Sequence, residues 1–206
     1  MRMRVFQLPL PLCGLMIAVL LVSGCAIREP RPEGAWLQDR ERWFHKHPDW
    51  TVQGRLGLSN GQRGGSLSFD WQAQGDQHTV QLRTIAGGKQ WRLQFGPEYA
   101  LLEGSDIDRL EGSDPDPLVE QAVGWPIPVQ WLSQWLRGLP APSEARMAFA
   151  EDGTLTQLRH SSWSIDFSRW TDGRNGVLLP TRIEARDPPH RVRAAMSNWR
   201  FKTELD

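Results

Sequence analysis

The sequence predicts an antiparallel β-sheet with one apolar face, covered by a few short helices. Three observations predict it: period-two alternation that resumes after most turn signals, turn residues at hairpin intervals, and an apolar, helix-spaced stretch in mid-chain. Alternation begins at Trp50, where Trp50, Val52, Gly54, Leu56 and Leu58 interleave with Thr51, Gln53, Arg55 and Gly57. Asn60-Gly61 is a strong hairpin signal. Leu67, Phe69 and Trp71 then alternate with Ser66, Ser68, Asp70 and Gln72, and Gly75-Asp76 reverses the chain before Val80 and Leu82. After Ala86-Gly87-Gly88-Lys89, Trp91, Leu93 and Phe95 alternate with Arg92 and Gln94. One apolar and one polar face marks an antiparallel meander.

The flanking elements follow from the same patterns. Ala35–His47 carries Trp36, Leu37, Arg40, Trp43 and Phe44 at helical spacing. Shorter strands are expected at Ala100–Glu103 and Ile107–Glu111. Leu102-Glu103-Gly104-Ser105-Asp106 is echoed by Leu110-Glu111-Gly112-Ser113-Asp114; the spacing fits no EF-hand loop and reads as two Gly-Ser-Asp turns. From Pro115 the spacing turns helical through Leu118, Val119, Ala122 and Val123, then Ile127, Trp131, Leu132, Trp135 and Leu136. Gly138 and Pro140 end it. Strands resume at Arg146–Ala150, Leu155–His160, Trp163–Arg169, Leu178–Arg186 and His190–Phe201. About ten or eleven strands and three short helices result, with no domain boundary between them. Such a sheet must curl and be covered, or close. Either an apolar cavity remains under the helices, or the many Trp rings fill it.

Composition narrows the class. Of 206 residues, 39% are hydrophobic and 23% charged, enough for a packed core and too apolar for disorder. Lys plus Arg equals Asp plus Glu at 24 each, so no overall field points to nucleic acid. Two cysteines, Cys13 and Cys25, cannot build a disulfide framework.

The N-terminus reads as an address and an anchor. Arg2 and Arg4 precede an apolar core from Leu12 to Val22, too short to stop in a membrane but suited to a secretory signal. Val22-Ser23-Gly24-Cys25 resembles the bacterial lipoprotein box. That resemblance implies cleavage after a signal peptide at 1–24, lipidation of Cys25, a tether over 25–34 and a folded domain over 35–206. The tether holds Pro30 and Pro32, which keep it extended. Ala26 follows the Cys where an Asp would favour inner-membrane retention, so a periplasm-facing, lipid-anchored place on the outer membrane is expected. Acyl chains contribute about 0.8 kcal/mol per buried CH₂, and three of them anchor a protein firmly.

No catalytic constellation stands out. His45-x-His47 falls at a helix end without a third ligand nearby, and His78, His160 and His190 are scattered. No zinc-protease, serine-hydrolase, P-loop or dinucleotide fingerprint occurs, and carboxylate pairs such as Asp106/Asp108 and Asp114/Asp116 sit in apparent turns. The expectation is a non-enzymatic protein without metal or cofactor.

Gly124-Trp125-Pro126-Ile127-Pro128-Val129-Gln130-Trp131-Leu132-Ser133-Gln134-Trp135-Leu136-Arg137-Gly138-Leu139-Pro140 resembles the central signature of the LolB family. The likeness extends to the lipoprotein box, the Trp-containing first helix, the meander from Trp50-Thr51-Val52-Gln53-Gly54-Arg55 and a late Asn198-Trp199. It implies an incomplete, eleven-stranded antiparallel β-barrel covered by helices around an apolar cavity. Members of that family take triacylated lipoproteins from the periplasmic carrier LolA and release them into the outer membrane. The implied partners are LolA, acyl chains as cargo and outer-membrane lipid; no nucleic acid is implied, and a monomer is expected.

The resemblance also implies site residues. Expected cavity residues are Leu67, Phe69, Trp71, Val80, Leu82, Trp91, Leu93 and Phe95 from the meander. Trp131, Leu132, Trp135 and Leu136 join from the helical lid, and Trp163, Ile165 and Phe167 from later strands. For each of them plain core packing is the competing role. A membrane-insertion loop with an exposed apolar residue is expected at Ile85, Ala86, Gly87 and Gly88, with Ile85 either at its tip or ending a strand and facing inward. Arginines at exposed strand positions, such as Arg55, Arg83 and Arg92, either form a solvated face or meet an acidic carrier or anionic lipid.

Overall fold

The structure, a computed structural model, describes residues 33–141, 145–173 and 176–202. Helix α1 is Glu33–Lys46, followed by β1 Trp50–Ser59, β2 Gly64–Gln74, β3 Gln77–Thr84, β4 Gln90–Phe95, β5 Ala100–Gly104 and β6 Ile107–Gly112. Helices α2 Pro115–Val123 and α3 Val129–Leu136 come next. The chain finishes with β7 Ala145–Phe149, β8 Leu155–His160, β9 Trp163–Asp172, β10 Leu178–Asp187 and β11 His190–Phe201. Cys25, the signal segment and most of the expected tether lie outside the described residues.

All eleven strands share one antiparallel sheet in the order β6-β5-β4-β3-β2-β1-β11-β10-β9-β8-β7. Two meanders meet at the β1–β11 pair, whose register runs from Trp50↔Phe201 to Ser59↔Arg191. The edges β6 and β7 do not pair, so the sheet is an open, incomplete barrel. The chain leaves one edge and re-enters at the other through α2 and α3. Connectivity alone therefore carries these helices across the mouth of the curved sheet, and α2 packs on β4, β5 and β6.

Strand direction gives the sheet two unlike ends. The turns at 60–63, 85–89, 105–106, 161–162 and 188–189 share one end, the upper rim. Helix α1 lies across the other. Its Trp36 meets Phe149 at 6.0 Å and Trp170 at 5.3 Å, Trp43 meets Phe201 at 4.7 Å, and Phe44 packs with Leu139 and Leu179. Those strand partners are the lower ends of β7, β9, β11 and β10.

Arg40 sits inside this plug, only 3% exposed. Its Nε donates to the Arg137 carbonyl and its Nη1 to the Leu178 carbonyl at 2.7 Å. The guanidinium lies 5.1–5.5 Å from the ring centres of Trp36, Phe44 and Trp170. A weakly hydrated, delocalised cation over aromatic faces is the charge that tolerates burial best. Burial, then the neighbouring Arg137, lowers its pKa to about 9, so it stays cationic at neutral pH. Gly138 makes room: its φ is 68°, and a Cβ there would lie 2.9 Å from both Arg40 and Trp170.

Some boundaries differ from those the sequence predicts. Helix α1 starts at Glu33, two residues before Ala35, and β7 occupies Ala145–Phe149 rather than Arg146–Ala150. Strand β9 runs on from Arg169 to Asp172, because pairing continues through Thr171↔Leu179 and Asp172↔Leu178. Register shifts around Arg182 break the alternation there, which hides the strand's end in the sequence.

Candidate functional site

Inward residues of the first meander form the concave wall beneath the two helices. Leu56, Phe69, Trp71, Val80, Leu82 and Leu93 face Val119 of α2, Ile127 of the connecting turn, and Val129, Leu132 and Leu136 of α3. They enclose a cavity of about 20 Å³. That space is of the order of one water, and an apolar lining offers water no partner. In this closed arrangement the interior is nearly filled.

Of the residues expected around a cavity, Phe69, Trp71, Val80, Leu82, Leu93, Leu132 and Leu136 line this one. Phe95, Trp135, Trp163, Ile165 and Phe167 are buried in the same core away from it. Trp131 is half-buried, its ring edge-on to His160 at 4.4 Å. Leu67 and Trp91 are buried but turn toward the upper rim, where they line a second concavity. Sequence reasoning passed over Leu56, Val119, Ile127 and Val129. Leu56 had the correct parity in β1; the others depend on how the helices lie on the sheet.

Two carboxylates bind the helices into one lid. Asp114 caps α2 by accepting from the Asp116 N–H at 3.0 Å, and also accepts from the Gln130 side-chain amide at 3.1 Å. Asp116, in the first turn of α2, accepts from the backbone N–H groups of Val129 at 2.8 Å and Gln130 at 3.3 Å. It thereby supplies the N-terminal cap that Pro128, at the head of α3, does not. Burial pushes the Asp116 carboxyl up to about 6, with the Asp114 charge adding and the two backbone donors opposing.

The β3–β4 loop projects from the upper rim. Ile85 is 53% exposed, so it does not face inward. The loop's base is fixed: Thr84 N–H donates to the Lys89 carbonyl at 2.9 Å, and Ile85 N–H to the Ser66 carbonyl at 3.1 Å. Gly87 and Gly88, at φ 104° and 69°, make the bend that L side chains resist. Tyr99, the other large exposed apolar residue described, ties its hydroxyl to Gln77 at 2.6 Å. Ile85 has no such polar handle. Beside it opens a groove of about 610 Å³, whose apolar lining includes Leu58, Leu67, Trp91, Val123 and Trp125. Its size is that of an ordinary small-ligand site. Trp125 was visible in the sequence only as part of the central motif.

Two histidines, His47 and His78, serve packing. His47 lies 2.8 Å from the Trp43 carbonyl and stacks on the Trp43 ring. His78 accepts from the Trp71 indole N–H at 3.0 Å and stacks on Phe95; burial lowers its pKa to about 4, so it stays neutral. Among the described residues, no group of three or more His, Cys, Asp or Glu is placed to hold a metal.

The sequence model of the family described as "Outer membrane lipoprotein LolB" matches residues 48–199. An outer-membrane lipoprotein LolB of Xanthomonas campestris is 33% identical over 165 residues, 78% of this chain and 76% of that protein. One from Alkalilimnicola ehrlichii is 33% identical over 188 residues, 89% of this chain and 93% of its own length. Among solved structures, a LolA superfamily protein from Nitrosomonas europaea shares the fold with a TM-score of 0.52 at 8% identity, over 84% of this chain and 94% of its own. A DUF1329 family protein from Desulfovibrio piger gives 0.53 at 11% identity, over 85% and 95%.

Proposed function

The chain belongs to the LolB family of outer membrane lipoproteins, and on that premise we propose that it accepts triacylated lipoproteins from the carrier LolA and inserts them into the outer membrane. Residues 1–24 are its signal peptide, Cys25 its lipid anchor, 25–34 its tether and 35–206 the lipoprotein-binding domain. It stands on the periplasmic side, works as a monomer, and needs no catalytic group or cofactor. The observation that carries this reading is the apolar concave wall under a two-helix lid, together with the apolar groove at the upper rim from which Ile85 projects.

Burial in such a wall supplies affinity for acyl chains without directional bonds, which suits cargo of varied protein sequence. An enclosed cavity of about 20 Å³ does not admit an acyl chain, so the lid lifts to load it. Asp114 and Asp116 make α2 and α3 lift together. The groove beside Ile85 then lies on the way out, and Ile85 enters the bilayer ahead of the cargo.

The test uses the chain carrying Cys25→Ala, mixed with LolA loaded with a triacylated lipoprotein and then with liposomes. Cargo should move to this chain and onward into the liposomes. Cargo retained by LolA while free acyl lipid binds would instead indicate acyl sensing without transfer. The nearly filled interior favours one other reading, an envelope scaffold; binding of neither cargo nor free lipid would select it.

A further inference from the structure

We propose that a strip of arginines along the upper rim docks the protein on an anionic lipid surface, oriented so that Ile85 meets the bilayer. This deepens the reading above and rests on it for the choice of a membrane as partner. The strip is a consequence of register. On the solvent-facing side, Arg146 pairs with Arg159, Arg159 with Ser164, Ser164 with Arg186, and Arg186 with Arg191. Each of the four arginines stands one residue from the upper end of its strand. At about 4.8 Å per strand, the row from β7 to β11 spans roughly 19 Å.

Folding explains this row only in part. Arg146 opposes Arg159 directly and Arg186 opposes Arg191 directly, and like charges in opposed positions weaken a sheet. Neutralisation beneath the row is thin. Glu184 is shared by three arginines, with Arg186 at 2.7 Å, Arg193 at 3.0 Å and Arg191 at 3.3 Å, while Asp166 meets Arg186 at 2.7 Å. Among the described residues, and counting Arg63 in the β1–β2 turn and Asp187 at the end of β10, six exposed arginines face three carboxylates. The other half of the same face differs: Arg83 has Asp70 at 2.9 Å, Lys89 has Asp106 at 2.8 Å, and Arg109 has Glu111 at 2.6 Å.

The position of the row identifies the partner. It shares the upper rim with the Ile85 loop, and β3 is three strands from β11. An apolar tip with basic residues beside it is the arrangement that seats a peripheral protein in a bilayer, tip in the acyl region and cations among phosphates. Guanidinium groups suit phosphate oxygens because they donate in pairs and remain charged.

The experiment compares Cys25→Ala chains by sedimentation with phosphatidylethanolamine vesicles, with and without phosphatidylglycerol. Arg146→Gln/Arg159→Gln/Arg191→Gln should lower partition onto the anionic vesicles by about fivefold per arginine, on the order of 100-fold together. Added salt should erase the parent's advantage, and the melting temperature of the variant should not fall. Removing equal charge toward the lower end, as Lys46→Gln/Arg169→Gln/Arg200→Gln, should leave partition close to the parent's. Equal losses in both triple variants, or none in the first, would overturn the strip. Cargo acceptance from LolA without vesicles tests the proposed function separately. If the rim variant partitions normally but no longer accepts cargo, the arginines face an acidic carrier instead and the proposal fails. If the parent accepts no cargo at all, the transfer reading fails while vesicle partition still reports on the strip.

Discussion

At the lower end of the sheet Arg40 is buried among Trp36, Phe44 and Trp170, whereas at the upper rim Arg146, Arg159, Arg186 and Arg191 stand in solvent. The lower end is closed by α1 and by packed aromatic rings: two backbone carbonyls take the Arg40 Nε and Nη1 N–H groups, and one glycine fits beneath them. The upper rim leaves an isoleucine uncovered, opens a groove beside it and opposes like charges across strands. Arginine in the first place holds the fold together. In the second, Arg146 opposes Arg159 across strands, and the row is explained by what lies outside the molecule. The difference shows that residue type says little about role until burial and register are known.

Substitutions at the two ends should therefore separate stability from delivery. The largest effect is expected for Arg40→Ala, which empties a buried site and strands the carbonyls of Arg137 and Leu178. A loss of about 3–5 kcal/mol in denaturant unfolding is expected; a loss below about 1 kcal/mol would show that the plug is not structural. Gly138→Ala comes next, at about 1–3 kcal/mol, from its positive φ and the approach to Arg40 and Trp170.

The lid gives a smaller, pH-dependent effect. Asp116 holds its proton more tightly when folded, at about 6 against 3.8, so its burial favours folding as pH falls through about 6 and opposes it at pH 7. Asp116→Asn keeps an acceptor for both backbone donors and removes the buried charge. The variant should match or exceed the parent at pH 7, and the parent should gain on it by on the order of 1 kcal/mol toward pH 4. His78 acts with the opposite sign: neutral when folded, it contributes stability above its ordinary pKa of 6.5 that is lost as pH falls toward about 4. His78→Gln should flatten that part of the melting-temperature profile, and an unchanged profile would count against it.

The smallest stability effect belongs to Ile85→Glu, expected within about 0.5 kcal/mol of the parent because the side chain is exposed. Its delivery of cargo to liposomes should nonetheless fail while uptake from LolA persists. Loss of uptake as well would move the role of Ile85 from insertion to loading.

The alternation from Trp50 to Phe95, the hairpin at Asn60-Gly61 and the mid-chain helices were legible in the sequence, because each rests on spacing within a few residues. So was the parity of the concave wall at Phe69, Trp71, Val80, Leu82 and Leu93. Ile85 was not settled by pattern, since a strand end and a loop tip are one residue apart. Val119, Ile127 and Val129 were visible as apolar but not as lining, because the seating of α2 and α3 decides it.

Sequence by itself determined the sheet, its inward face, the lid as a helical insertion between two runs of strands, and the kinship carried by Gly124–Pro140. Only the tertiary structure decided that the two meanders join through β1 and β11, that α1 plugs one end, and that the interior closes to about 20 Å³. It alone aligned Arg146, Arg159, Arg186 and Arg191, which lie up to 45 residues apart in a chain with no net charge. Local spacing sets periodicity and turns, but register between distant strands places such charges in one row, and no local pattern encodes that register.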